Sequence, residues 1–232
     1  QELDLSGLVD RLLQLKLMGR IKGVLHTIND GKADAINADA LHVLWGDDYI
    51  TERILGLTFR ITAFSFFQTN SYGAQELFAV VRDFAGKDLG VVFDLYCGTG
   101  TIAQIISPQA EKVIGIEIIP EAIEAAQENA RLNGLDNCRF IAGDVLTELD
   151  NLEEQPDLVI LDPPRSGIHP KALDKLIAVK PPRLVYVSCQ PASLARDLEV
   201  LTASGYKAVK VKCVDMFPHT PHVETVVSVT KS

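Results

Sequence analysis

The chain has 232 residues, 47% of them apolar, and a formal net charge of −9. That supplies enough apolar side chain for one large domain, or one domain with an appendage. No run of about 18 apolar residues and no signal-like leader occur, which argues against membrane and secretory readings, and the acidic balance argues against a broad nucleic-acid-binding face.

The four cysteines, Cys97, Cys138, Cys189 and Cys213, show no short metal-ligand spacing, so no metal site is expected. Scattered thiols suit a reducing, cytoplasmic setting. The chain opens at Gln1 in the middle of a pattern, which suggests a piece of a longer protein.

Residues 1–20 carry Leu5, Leu8, Val9, Leu12, Leu13 and Leu17 at helical spacing, predicting a packing helix. From Ile21 to Phe64 the pattern becomes short strands: 23–28, 41–44, 49–54 and 57–62. Asn29-Asp30-Gly31 and Trp45-Gly46-Asp47-Asp48 supply turns between them. His26 and His42 read as ordinary strand residues. Residues 1–65 thus form a small α+β section with antiparallel strands, and 66–232 a second domain. Phe64-Ser65-Phe66-Phe67-Gln68-Thr69-Asn70 leads into a helix over 71–84. It reads either as a cap over a pocket or as a hinge in which Asn70 caps the helix.

Val91-Val92-Phe93-Asp94-Leu95-Tyr96-Cys97-Gly98-Thr99-Gly100-Thr101 reads as a buried parallel strand, a glycine turn and a helix start. Gly98 and Gly100 permit a sharp turn and a close backbone approach to a ligand, which the helix N–H groups would face. Asp94 could accept a hydrogen bond from a cationic group. The spelling also satisfies a dinucleotide fingerprint, with Glu117 at the expected distance, so nicotinamide and adenosyl-methionine cofactors both stay open.

Beyond the turn, strands at 112–118, 139–141, 158–161, 184–187, 208–215 and 223–230 are expected. Helices at 120–133, 170–179 and 191–204 lie among them. Such alternation implies an α/β, mostly parallel sheet covered on both faces. The connection from Met216 to His222 is too short for a parallel crossover, so the last strand must run antiparallel. That departs from a simple nicotinamide-binding domain and favours the methyltransferase variant of the Rossmann-like fold.

Candidate chemistry clusters at strand ends. Glu117 can bind vicinal ribose hydroxyls. Asp144, after the third strand of this domain, can accept from an adenine amino group. Asp162-Pro163-Pro164-Arg165 holds Asp162 on a stiff backbone at the edge where ligands of open α/β sheets bind. Cys189, between a strand and a helix N-terminus, is placed for acidification by the helix dipole. Glu224 begins the last strand and could point into the crevice as a base.

These motifs together resemble the RNA uracil-5-methyltransferases, which make 5-methyluridine in 23S rRNA and tRNA. The resemblance runs from about Phe66 to the C-terminus. It rests on Phe67-Gln68-Thr69-Asn70, Asp94 to Gly100, Asp162-Pro163-Pro164-Arg165, Ser188-Cys189-Gln190-Pro191 and His222-Val223-Glu224-Thr225. It implies a class I S-adenosylmethionine-dependent methyltransferase sheet. It further implies cofactor contacts at Gln68, Tyr96, Glu117 and Asp162, with weaker matches at Thr101 and Asp144. Cys189 matches the family nucleophile and Glu224 the proton acceptor. The implied partner is RNA, 23S rRNA first and tRNA as the alternative. The family's N-terminal RNA-binding barrel and the clustered cysteines of its iron–sulfur members have no counterpart within these residues.

Overall fold

The computed structural model describes residues 5, 7–30 and 40–232. Contacts divide the chain into two compact units, Gln1–Glu52 with Arg60–Ser65, and Arg53–Phe59 with Phe66–Ser232.

In the smaller unit the helix α1 covers only Leu8–Leu13 and buries no residue. The periodicity predicted a longer helix. Leu13, Leu15 and Leu17 are exposed instead, and a helix with no packed face gains too little to extend. The start of that expected helix, residues 1–4 and 6, lies outside the described residues, as does Gly31 of the expected turn. Strands β1 (Gly23–Ile28) and β2 (Ala40–Gly46) pair antiparallel, with His26 opposite His42. Strands β3 (Tyr49–Ile54) and β4 (Leu57–Thr62) form a second two-stranded sheet, of which Arg53–Phe59 is counted with the larger unit.

The larger unit opens with α2 (Ser71–Ala85). Asn70 caps it by accepting the Gly73 N–H at 3.0 Å, and Leu77, Phe78, Val81 and Phe84 lie on its buried face. A seven-stranded sheet follows, with β5 (Leu89–Leu95), β6 (Ala110–Glu117), β7 (Cys138–Ala142), β8 (Leu158–Leu161), β9 (Arg183–Ser188), β10 (Tyr206–Val214) and β11 (Glu224–Lys231). Their spatial order is β10-β11-β9-β8-β5-β6-β7. Strand β11 is antiparallel to both neighbours and the remaining pairs are parallel, as the short final connection demanded.

Helices α3 (Thr101–Ile106), α4 (Pro120–Leu132), α5 (Val145–Asn151), α6 (Pro170–Val179) and α7 (Pro191–Ala203) complete the unit. Prolines start α4, α6 and α7, where a missing N–H costs nothing. The sheet carries a core on each face. Val92 joins α2, α3 and α4 in one, while Phe93 and Leu95 join α5, α6 and α7 in the other. Central strands buried on both faces read as continuous apolar runs for this reason. Helix α5 was not expected from the sequence. Its signals were present: Asp144 at the cap, then Val145 and Leu149 one turn apart and buried. Among the described residues no helix is long and apolar enough to cross a membrane.

Candidate active site

Chain order reverses at β5, which has β6 on one side and β8 on the other. Ligands of open α/β sheets sit above the carboxyl ends of the strands at such a point. Asp94, Glu117, Asp144, Asp162 and Cys189 all lie at or just beyond the ends of parallel strands. Because β11 runs the other way, its first residue, Glu224, comes to that same edge. Thr225 pairs with Ser188, so the next step of the antiparallel register sets Glu224 opposite Cys189. Two residues 35 positions apart in the chain thereby come within electrostatic reach of each other.

The glycine turn is built from left-handed backbone. Tyr96 (φ 66°), Gly98 (φ 52°) and Gly100 (φ 71°) all adopt positive φ. A non-glycine residue there is strained, and such strain collects at functional sites. The two glycines serve different purposes. A Cβ on Gly100 would lie 2.6 Å from Phe140 and 2.9 Å from Ala126, so the helix can approach the sheet only without one. A Cβ on Gly98 would meet nothing within 4 Å. That side of the turn is open for a ligand. Thr101, half-buried, opens α3 with its hydroxyl 3.5 Å from that of Thr99.

Glu117 braces this turn. Its carboxylate accepts the Gly98 and Ile119 N–H groups, each at 3.1 Å. Asp144 is exposed and caps α5, accepting the Leu146 N–H at 2.9 Å. It still lies within electrostatic reach of Tyr96, whose hydroxyl is raised to about 12, first by burial and then by Asp144. Gln68 is half-buried beside Phe67, which stacks at 5.9 Å on Phe59.

Asp94 departs from the sequence reading. Its hydrogen-bond donor is a backbone N–H, not a cationic group. It is fully buried and accepts the Ala103 N–H of α3 at 2.8 Å through one oxygen, while the other has no partner. Burial, then repulsion from Asp162, raises it to about 8. Asp162 retains some exposure, yet burial and then Glu224 raise it to about 7.

Cys189 also needs a correction. The expected acidification by the α7 dipole does not dominate. Burial and then Glu224 hold the thiol above its ordinary value, while Arg165 pulls it down by hydrogen bonding and charge. Burial likewise raises Glu224, and Arg165 lowers it. Arg165 is therefore the cation common to both groups.

Sequence reasoning missed the anchor of the Asp162–Ile168 loop. Asp197 of α7 is buried and accepts from the Ile168 N–H at 2.8 Å and the Tyr186 hydroxyl at 2.7 Å. Arg196 donates to Asp197 at 2.9 Å and to the Ser166 carbonyl at 2.7 Å. A signal existed: Asp197 falls on the apolar stripe between Leu194 and Leu201, where an acid requires a buried partner.

A strained glycine turn, several carboxylates and a thiol thus gather at one sheet edge. The model of the tRNA (uracil-5-)-methyltransferase family matches residues 36–232. The chain belongs to that family. Among the chain's relatives is an uncharacterized RNA methyltransferase of Clostridium tetani, 53% identical over 231 residues, covering 99% of this chain and 51% of the relative. One from Clostridium acetobutylicum is 55% identical over 227 residues, covering 97% and 50%. The chain spans about half the length of these relatives. Among solved structures, the tRNA (uracil-54, C5)-methyltransferase of Pyrococcus abyssi in complex with S-adenosyl-L-homocysteine superposes with a TM-score of 0.79. It is 33% identical, covering 91% of this chain and 52% of its own. Trm5b of Pyrococcus abyssi, TM-score 0.67 and 19% identical over 92% of this chain and 65% of its own, shares the fold.

Proposed function

We propose that this family member is the catalytic part of an enzyme that methylates carbon 5 of uracil in RNA, with S-adenosylmethionine as methyl donor. The observation that supports the reading is the register pairing Ser188 with Thr225, which leaves Cys189 in electrostatic reach of Glu224, Asp162 and Arg165. The site suits a cationic donor: the Gly98 side of the turn is open, Glu117 and Asp144 lie at the same sheet edge, and a positive charge there would relieve the repulsion between Asp94 and Asp162. When bound, the donor supplies a methyl group already activated by its sulfonium. Gln68, Tyr96, Thr101, Glu117, Asp144 and Asp162 would hold it.

The remaining chemistry falls to the chain. Carbon 5 of uracil is a weak nucleophile. Cys189, as thiolate, adds to carbon 6 and pushes electron density onto carbon 5. Glu224 removes the carbon 5 proton after methylation, and the carbon–sulfur bond breaks to restore the thiolate. Arg165 favours the ionised form of both groups, offsetting the burial that opposes it. The target base must leave its stack to reach this edge, which single-stranded loops allow at least cost.

We take 23S rRNA as the first candidate substrate, in a cytoplasmic setting. The family description and the Pyrococcus abyssi protein both name tRNA, which supports tRNA as a second reading. Mass spectrometry of rRNA and tRNA from cells lacking the full-length protein tests both. Loss of 5-methyluridine from one 23S position supports the first, and loss from tRNA the second. Unchanged 5-methyluridine in both would refute the proposal.

A further inference from the structure

Strand β10 is an edge of the seven-stranded sheet, and Lys207, Lys210 and Lys212 on it are exposed. Strict alternation would put Lys207 and Lys210 on opposite faces. The pairing with β11 slips between Ala208 and Lys210, where Val209 is bulged out of register. Lys207 then pairs with Thr230, Lys210 with Ser228 and Lys212 with Val226, so all three lysines share one face. It is the face that packs on α2: Val226 lies in the same core as α2, and the Lys210 ammonium sits 5.3 Å from the centre of the Phe84 ring. Two steps beyond Lys212 on this face, Val214 pairs with Glu224. None of the three lysines forms an ion pair among the described residues.

The row ends at a groove of about 420 Å³ between the end of β10 and the start of α2. Tyr72, Glu76, Val214 and Asp215 contribute to its lining. Tyr72 is 85% exposed, an unusual position for an aromatic ring with nothing to cover it. The two acids at the groove repel phosphate but not the flat face of a base.

We infer that the α2 face of β10 is a track for single-stranded RNA, its lysines contacting successive phosphates and Tyr72 stacking a base, so that the strand is led toward the Glu224 end of the sheet. The inference rests on the RNA-methylation reading above. Charge complementarity selects the occupant: in a chain of net charge −9, three unpaired cations about 7 Å or more apart along one strand face match a polyanion. Lysines on an edge strand also discourage strand-to-strand aggregation, and that role alone would leave RNA affinity untouched.

The test uses the full-length protein and a short fluorescent single-stranded oligouridine, with affinity measured across a salt series. Lys207→Gln/Lys210→Gln/Lys212→Gln should lower the slope of log affinity against log salt by about 2, at roughly 0.7 per phosphate contact. The triple Lys→Arg variant should restore it. Tyr72→Ala should weaken binding about fivefold or more at fixed salt with the slope unchanged. Adenosyl-homocysteine binding should stay at the wild-type value in all three, which shows that the catalytic unit is folded. A wild-type slope in the triple Gln variant overturns the track while leaving RNA methylation standing. Wild-type protein without salt-dependent RNA binding overturns both.

Discussion

Asp94→Asn isolates the most unusual charge in the site. Asp94 is fully buried, with one oxygen on the Ala103 N–H and the other without a partner. Its folded value of about 8 lies far above the ordinary 3.8. The folded protein therefore holds a proton that the unfolded chain releases. Stability from this group is whole below pH about 4 and drains away as pH climbs to about 8. Each pH unit in that window is worth up to about 1.4 kcal/mol. From pH 5 to pH 7 the wild type should thus lose up to about 3 kcal/mol that the variant keeps. Asparagine matches the protonated acid in shape, and its carbonyl can still accept from Ala103. The assay is denaturant unfolding of the full-length protein, following the catalytic unit, with wild type and Asp94→Asn compared between pH 5 and pH 8. Parallel pH profiles would refute the argument. Divergence with the variant gaining at higher pH is the expected result.

Arg165→Met should raise the Cys189 thiol, seen as a shift to higher pH in its rate of alkylation by iodoacetamide. An unmoved profile would remove Arg165 from the account. Gly100→Ala should destabilise by about 2–5 kcal/mol, combining a left-handed alanine with a clash on Phe140. Gly98→Ala should cost only about 1–2 kcal/mol in stability but weaken adenosyl-homocysteine binding, since its methyl enters open space. Calorimetry of both variants separates the two roles. Asp197→Ala should cost about 3 kcal/mol or more, because it strips the Ile168 N–H and the Tyr186 hydroxyl of their acceptor. A thermal melt within a degree of wild type would contradict that.

The sheet was legible because its signals are local. Apolar runs such as Leu158–Leu161 carry no charge to place elsewhere, and the short 216–222 connection leaves only an antiparallel return. The motifs were legible for the same reason: glycines, prolines and strand-end acids mark turns. What escaped was whatever depends on partners distant in sequence. Asp94 reads as a partner for a cationic group until α3 folds back over it and supplies the Ala103 N–H. Cys189 looks acidified by α7 until the register brings Glu224 opposite and burial surrounds both. The Asp162–Ile168 loop looks held by its prolines, while two of its hydrogen bonds come from Arg196 and Asp197, some 30 residues on. The exposed leucines of 13–17 mark the opposite failure, a helical pattern with no packed face to sustain it.

The central claim is that Cys189 and Glu224 act on one base. The most direct measurement incubates full-length Glu224→Gln protein with unmodified substrate RNA and S-adenosylmethionine, then digests the denatured product for mass spectrometry. The account predicts a peptide containing Cys189 that carries a methylated uridine, absent from Cys189→Ala/Glu224→Gln protein. Normal turnover by the Glu224→Gln protein, or an adduct that survives loss of Cys189, would contradict it.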